Sequence, residues 1–162
     1  MTYALVRRLF PLGRVRFVEE DGALTRLELE GEGSLPPLPD AEERATPLLE
    51  EACAQLIDYL AGTRREFDLP LAPHGTAFQQ KVWRALQDIP YGATRAYREI
   101  AAAVGSPRAC RAVGLANNRN PIAVVIPCHR VIGADGRLVG YGGGLDIKEA
   151  LLQLERRMAD RD

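Results

Sequence analysis

Cys128, His129 and Arg130 stand side by side in Ile126-Pro127-Cys128-His129-Arg130-Val131, placing a thiol, an imidazole and a guanidinium in consecutive positions. The thiolate is the nucleophilic form of cysteine, and a free thiol is only slightly ionised at neutral pH, so a nearby base and positive charge are what make it reactive. One of the two histidines of the chain is spent here. By itself the Cys-His pair favours a blander reading, a small buried cysteine beside an ordinary satisfied histidine, because free cysteines are usually buried and inert. The apolar run Ile122-Ala123-Val124-Val125, stopped by Pro127, reads as a buried strand or a tucked-in core segment. Cys128 is therefore expected on a rigid support. Asn117-Asn118-Arg119-Asn120-Pro121 precedes that run, and Gly140-Tyr141-Gly142-Gly143-Gly144 follows the cysteine, a loop whose backbone can come close to a ligand.

The chain that must hold these residues has 162 residues, 46% of them hydrophobic, enough for one or two compact units without staples. No run approaches ~18 apolar residues, and the first residues lack a basic region followed by an apolar signal core, which predicts a soluble, cytoplasmic protein without membrane contact. Three cysteines, Cys53, Cys110 and Cys128, are an odd number without paired spacing, so neither a disulfide framework nor a metal centre is expected. Cys53 and Cys110 fall in helical patterns and are assigned to packing. No metal and no cofactor is expected. The net charge of −1 hides an uneven distribution: residues 1–73 carry 8 Lys+Arg against 14 Asp+Glu, net −6, and residues 74–162 carry 13 against 8, net +5. Basic charge gathered on one unit suits phosphate contact, although such asymmetry also occurs between ordinary domains.

Residues 2–9, 14–18 and 23–29 alternate in polarity. They are separated by Pro11-Leu12-Gly13 and Glu20-Asp21-Gly22, and the Asp-Gly pair signals a hairpin, so a three-stranded antiparallel meander is predicted. The prolines of residues 34–40 make a connecting loop. Thr46 as N-cap and Pro47 in the first position open a helix with Leu49, Ala52, Cys53, Leu56 and Leu60 on its apolar face, closed by Gly62. Nothing in residues 1–62 gathers titratable groups, so this part reads as scaffold. An extended linker over residues 65–73 sets a boundary near Leu71–His74, dividing the chain into 1–73 and 74–162. His74 reads as a solvated linker residue.

Thr76-Ala77-Phe78-Gln79 is a capping box for a helix with Phe78, Val82, Trp83 and Leu86 buried, ending near Ile89-Pro90. Thr94 is placed to cap a second helix through Ala103, with Tyr97 and Ile100 at helical spacing. Ser106 and Pro107 then open a third helix, to about Asn117. Helix, short glycine-containing turn, helix is the helix-turn-helix arrangement, and its second member displays Arg108 and Arg111, with Arg119 just beyond. Helix pairs are common and surface arginines usually face solvent, so this alone leaves DNA binding open. Asp146-Ile147-Lys148-Glu149 reads as a capping box for a final helix with a stripe of Ile147, Ala150, Leu151, Leu154 and Met158. Glu155 lies beside that stripe, where it could reach either water or a buried imidazole.

Asn120-Pro121, Ile126-Pro127-Cys128-His129-Arg130-Val131 and Tyr141-Gly142-Gly143-Gly144-Leu145, in this order, resemble the signature of the O6-alkylguanine-DNA alkyltransferases, a similarity running from about Thr76 to Glu155. The resemblance implies an α/β N-terminal domain, ribonuclease H-like, built of an antiparallel meander plus a helix. A mainly α, winged-helix-like C-terminal domain containing the helix-turn-helix would follow. It implies DNA repair by direct damage reversal: Cys128 would take the alkyl group from O6-alkylguanine, and by extension O4-alkylthymine, in one turnover after the base is flipped. His129 would remove the thiol proton through a water, and Glu155 would orient that imidazole. Arg111 matches the finger that fills the vacated stack, Tyr97 the tyrosine that assists nucleotide rotation, and Asn120 the asparagine that braces the helix pair against the active-site segment. Tyr141, Gly142, Gly143 and Gly144 would wall the pocket, and Arg130 would be a structural ion-pair residue. The implied partner is alkylated double-stranded DNA, bound by a monomer. Extrusion is required because the target atom is inaccessible inside a duplex. Ala123 departs from the family, several members of which carry a proline there, so the pocket is expected to differ in shape. A non-enzymatic damage sensor of this type carries tryptophan at the nucleophile position, which Cys128 contradicts. A helix-turn-helix regulator needs no reactive thiol, and a Cys-His-Glu hydrolase would turn over repeatedly.

Overall fold

The alternating segments at the start of the chain pair as their turns dictate. In the computed structural model, which describes residues 1–31, 34–141 and 143–161, β1 (Thr2–Leu9), β2 (Gly13–Glu20) and β3 (Ala23–Leu29) form the expected antiparallel meander. Beyond the proline-rich loop, β4 (Glu42–Glu43) adds in parallel to β1, giving the order β3-β2-β1-β4, a strand that no alternation announced. Helix α1 (Pro47–Leu60) packs on this sheet. Its cap joins the two layers: Thr46 Oγ1 accepts from the Leu49 amide at 3.1 Å and donates to Glu19 Oε1 at 2.5 Å. The buried face is Leu49, Ala52, Cys53, Leu56 and Tyr59, with Leu60 only partly covered.

The outer edge of β3 is not left open. Leu24 exchanges backbone hydrogen bonds with residues 70 and 72 of the linker, and Leu27 does so with Pro121 and Ala123, at 2.8–3.0 Å. Covering an edge strand in this way removes a template for unwanted pairing, and here it also stitches the N-terminal sheet to the segment that leads into Cys128. That segment is the tucked-in alternative rather than a strand. After one bridge at Ile122 it coils back, Ile126 N donating to Ile122 O at 3.0 Å. Val124 is driven to φ 69°, a left-handed conformation that a β-branched residue adopts only under constraint.

In the second half the Thr76–Gln79 capping box forms as expected and opens α2 (Ala77–Gln87). The indole of Trp83 donates to Ala116 O at 2.9 Å, tying α2 to the helix pair. Helix α3 (Tyr97–Ala103) starts later than a Thr94 cap predicts, because Arg95–Ala96 are taken by strand β5, which pairs in parallel with β6 (Val131–Ile132). Helix α4 (Cys110–Asn118) starts at Cys110 rather than Pro107, since Ala109 N bonds back to Ser106 O and closes a separate turn. The Asp146 capping box does not form. Gly144, at φ 100°, is the N-cap of α5 (Leu145–Ala159), and Lys148 turns inward. Cys53 is buried as assigned, but Cys110 is exposed, because the late start of α4 leaves it at the helix end. His74, read as solvated, is exposed yet hydrogen-bonded to Glu20 Oε2 at 2.9 Å. The architecture is thus an N-terminal sheet domain followed by a helical part. Among the described residues no helix is long and apolar enough to cross a membrane.

Candidate functional site

Cys128, His129 and Arg130 occupy one 3-10 turn just before β6, and all three are buried. The turn packs against α5, and the residue it meets is Glu155, 0% exposed. Of the two readings left open for that carboxylate, the structure selects the buried imidazole. Oε2 of Glu155 accepts from His129 Nε2 at 2.7 Å, from the Tyr59 hydroxyl at 2.5 Å and from Arg130 Nη2 at 3.0 Å. Oε1 accepts from Arg130 Nε at 2.8 Å and from the Gly92 amide at 3.3 Å. Gly92 is needed there twice over: its φ is 83°, and a Cβ would stand 2.8 Å from that of Ala159. Arg130 also donates from Nη1 to Ile89 O at 2.7 Å, so it is the ion-pair residue expected, with Glu155 as partner.

This geometry sets the protonation states. Burial alone would raise the Glu155 carboxyl, but the hydrogen bonds and charges of His129 and Arg130 hold it down at about 2. Burial pushes His129 below its ordinary value, although Glu155 pulls the other way, so the ring is neutral at pH 7. Because an ionised carboxylate only accepts, the proton is assigned to Nε2. Nδ1 is left with a free lone pair and no hydrogen-bond partner among the described residues. The Cys128 thiol is raised by burial, against the Asn120 amide and the Lys148 ammonium. A thiol raised in this way needs a base to become a nucleophile, and the neighbouring residue in the chain carries an imidazole with one nitrogen uncommitted.

Cys128 opens on a cleft of about 400 Å³, lined by Asn120, Ala123, Tyr141, Gly143 and, from the N-terminal sheet, residues 26–29 of β3. Asn120 clamps the segment before the cysteine: its Oδ1 accepts from Ile122 N at 3.0 Å and its Nδ2 donates to Ile126 O at 2.7 Å. Tyr141 keeps a buried hydroxyl without a partner among the described residues, and Tyr97 donates to Val139 O at 3.3 Å. Burial, and then the Cys128 charge, raise the pKa of both phenols. Arg111 stands apart from this cluster, on the exposed face of α4, with no hydrogen bond or ion pair among the described residues. Gly142 lies outside the described residues. Among those described, no group of three or more His, Cys, Asp or Glu could hold a metal.

Three neighbours escaped the sequence reading. Tyr59 corrects the view of residues 1–62 as pure scaffold; a tyrosine three positions after Leu56 on a buried stripe has to find its hydroxyl a partner, and that was the available signal. Lys148 is fully buried, with Nζ donating to Val131 O at 2.6 Å and Val139 O at 2.8 Å, and burial lowers it to about 8. It tethers the glycine-rich loop to β6. Its spacing from Leu151 and Glu155 would have placed it on the inner face of the helix. Asn117 is buried, with Nδ2 3.5 Å from Cys128 O.

A buried cysteine followed by a neutral histidine fixed on a buried carboxylate, opening on a cleft beside a pair of consecutive helices, presents the groups that cysteine-nucleophile group transfer requires. Residues 77–157 match the family model of the 6-O-methylguanine DNA methyltransferase DNA binding domain, and residues 1–73 that of its ribonuclease-like domain. The constitutive methylated-DNA--protein-cysteine methyltransferase of Bacillus subtilis is 51% identical over 150 residues, 90% of this chain and 91% of that protein. The methyltransferase of the same name from Methanosarcina barkeri is 67% identical over 105 residues, 65% of this chain and 66% of that protein. The crystal structure of Mycobacterium tuberculosis OGT in complex with DNA matches with a TM-score of 0.84 at 45% identity, over 96% of this chain and 94% of that one. The chain belongs to the 6-O-methylguanine DNA methyltransferase family, DNA-repair methyltransferases that move an alkyl group from DNA to a cysteine.

Proposed function

We propose that Cys128 is the alkyl acceptor, taking the group from O6-alkylguanine flipped out of double-stranded DNA, once per chain. The observation that carries this is the uncommitted Nδ1 of buried, neutral His129, whose Nε2 is fixed on Glu155, on the residue that follows the cysteine opening on the cleft. The thiol proton passes through a water to His129 Nδ1, and the imidazolium that forms is stabilised by Glu155. The thiolate attacks the alkyl carbon in line. The S–C bond forms as the C–O bond breaks, and the electron pair returns to the guanine, which takes up a proton. Tyr97, kept protonated by burial, hydrogen-bonds the flipped base. Tyr141 and Gly143 wall its pocket, Ala123 leaves room beside the alkyl group, and Asn120 holds the segment before Cys128. Arg111 fills the vacated stack. O4-alkylthymine is an additional substrate of the same chemistry. We read the chain as a cytoplasmic monomer of two domains: 1–73, ribonuclease H-like, and 74–162, winged-helix-like with α3 and α4 as the helix-turn-helix.

Two experiments test these roles. His129→Ala should slow single-turnover transfer by roughly a hundredfold or more, as loss of a general base does. Glu155→Gln should slow it as well, and the double variant should fall far short of the product, since the two act as one unit. Independent, multiplying losses would remove Glu155 from the relay. Arg111→Ala should restore on the order of 1–3 kcal/mol of flipping cost, roughly 5- to 150-fold in rate on duplex DNA. The reaction with free O6-alkylguanine base, which needs no extrusion, should be nearly unchanged. If saturating duplex restores the wild-type rate, Arg111 is a phosphate contact and not the finger.

A further inference from the structure

One side chain of the N-terminal unit reaches into the relay. Tyr59, on α1, is 0% exposed and donates at 2.5 Å to the same Glu155 oxygen that accepts from His129 at 2.7 Å and from Arg130 Nη2 at 3.0 Å. A carboxylate oxygen has lone-pair sites for about two donors, so three compete for this one. Charge drawn toward the phenol is withdrawn from His129 Nε2–H. The phenol itself is held: its ring meets Tyr91 edge-on at 6.2 Å and is tilted against Phe67 at 5.5 Å.

We propose that Tyr59 is a positioning residue of the transfer reaction, its hydroxyl fixing Glu155 Oε2 and limiting how strongly that oxygen stabilises the protonated imidazole. Tyr59 thereby sets the pH at which His129 can serve as base. This rests on the relay reading given above. The groups facing the relay come from every element packed on it. Besides Tyr59 they are Tyr91 and the Gly92 amide from the turn after α2, Cys128 and Arg130 from the 3-10 turn, Tyr141 from the glycine-rich loop, and Lys148 and Glu155 from α5. Arg65 lies over the Tyr91 ring at 5.1 Å and donates to Met158 O. Arg130 and Lys148 oppose protonation of His129, burial keeps the three tyrosines and the thiol neutral, and Glu155 favours protonation. Burial, and then the carboxylate beside it, hold Tyr59 well above 10, so it keeps its proton, remains a donor throughout and passes no proton along the relay.

Tyr59→Phe deletes one oxygen and keeps the ring. Oε2 then turns its charge to His129, and the acid limb of the single-turnover rate should move up by about half to one pH unit. Below the limb that is roughly a 3- to 10-fold loss relative to the plateau. A residue that merely packs would change stability, or the rate at all pH values alike. Tyr91→Phe is the control, since its ring touches Tyr59 but its hydroxyl has no partner among the described residues. A second measurement needs no variant: in wild-type protein with ¹³Cζ-labelled tyrosine, the Tyr59 resonance should shift as the His129 ring titrates. An acid limb of Tyr59→Phe that coincides with wild type, or a Tyr59 resonance indifferent to His129, overturns the proposal. Failure of the underlying relay has a different signature. His129→Ala would keep the acid limb, or Cys128 would stay unlabelled, and the role of Tyr59 would fall with it.

Discussion

Incubated with excess duplex carrying O6-methylguanine, the wild-type chain should gain the mass of one methyl group, on Cys128, and then stop; Cys128→Ser should gain none. The stop follows from the product. A thioether carbon has no good leaving group, and the described lining of the cleft holds no thiol besides Cys128 to return the sulfur to a thiol. The absence of transfer in the serine variant follows from the relay, because a hydroxyl is far harder to deprotonate than a thiol and neutral His129 is matched to the easier task. The other two cysteines make the site specific. Cys53 is buried in the α1 face against the sheet, and burial raises its thiol. Cys110 is exposed at the start of α4, far in sequence from His129 and Glu155. Intact mass followed by peptide mapping decides the matter. More than one equivalent transferred per chain, or a label confined to Cys53 or Cys110, contradicts the assignment.

Glu155→Ala should cost about 3–5 kcal/mol of folding stability, the usual penalty for leaving a buried charge without its partner. The charge left behind is Arg130, 7% exposed and held otherwise by Ile89 O and, at 5.7 Å, the face of the Tyr91 ring. The Tyr59 hydroxyl and the Gly92 amide lose their acceptor at the same time. Urea unfolding at neutral pH measures the loss, and a decrease below about 1 kcal/mol would mean that the network does not hold α5 to the turn. The same carboxylate makes the fold acid-sensitive. Its folded value of about 2 lies below the ordinary 4.5, so its contribution is complete above 4.5 and disappears as pH falls through 2. At ~1.4 kcal/mol per unit this is about 3 kcal/mol. His129, lowered from 6.5, acts in the same direction, since the unfolded chain takes up its proton first as pH falls. Wild-type stability should therefore decline from below 6.5 downward, and Glu155→Ala should flatten the lower part of that decline.

The features legible in the residues are those set by contacts a few positions apart. The meander follows from alternation and an Asp-Gly turn, α1 from Thr46-Pro47, and α2 from a capping box whose two hydrogen bonds span three residues. Cys128, the neighbouring His129 and the glycine-rich segment after them stood out in the sequence because they are nearly contiguous. Local signals failed wherever a distant partner offered more than a cap or a propensity, which are worth about 1 kcal/mol or less. Arg95–Ala96 left the helix they favour to pair with Val131–Ile132, and Ile122–Val125 gave up strand geometry to close on β3 and coil under Cys128. The relay belongs to the same class. Glu155 beside an apolar stripe is compatible with solvent or with an imidazole, and nothing within a few residues of it distinguishes them. Its partners lie 25, 26 and 96 residues away, on the 3-10 turn and on α1. Packing both against α5 excludes water from the carboxylate, and once water is gone each of its lone pairs must find a protein donor. That requirement brings His129, Arg130 and Tyr59 onto one side chain.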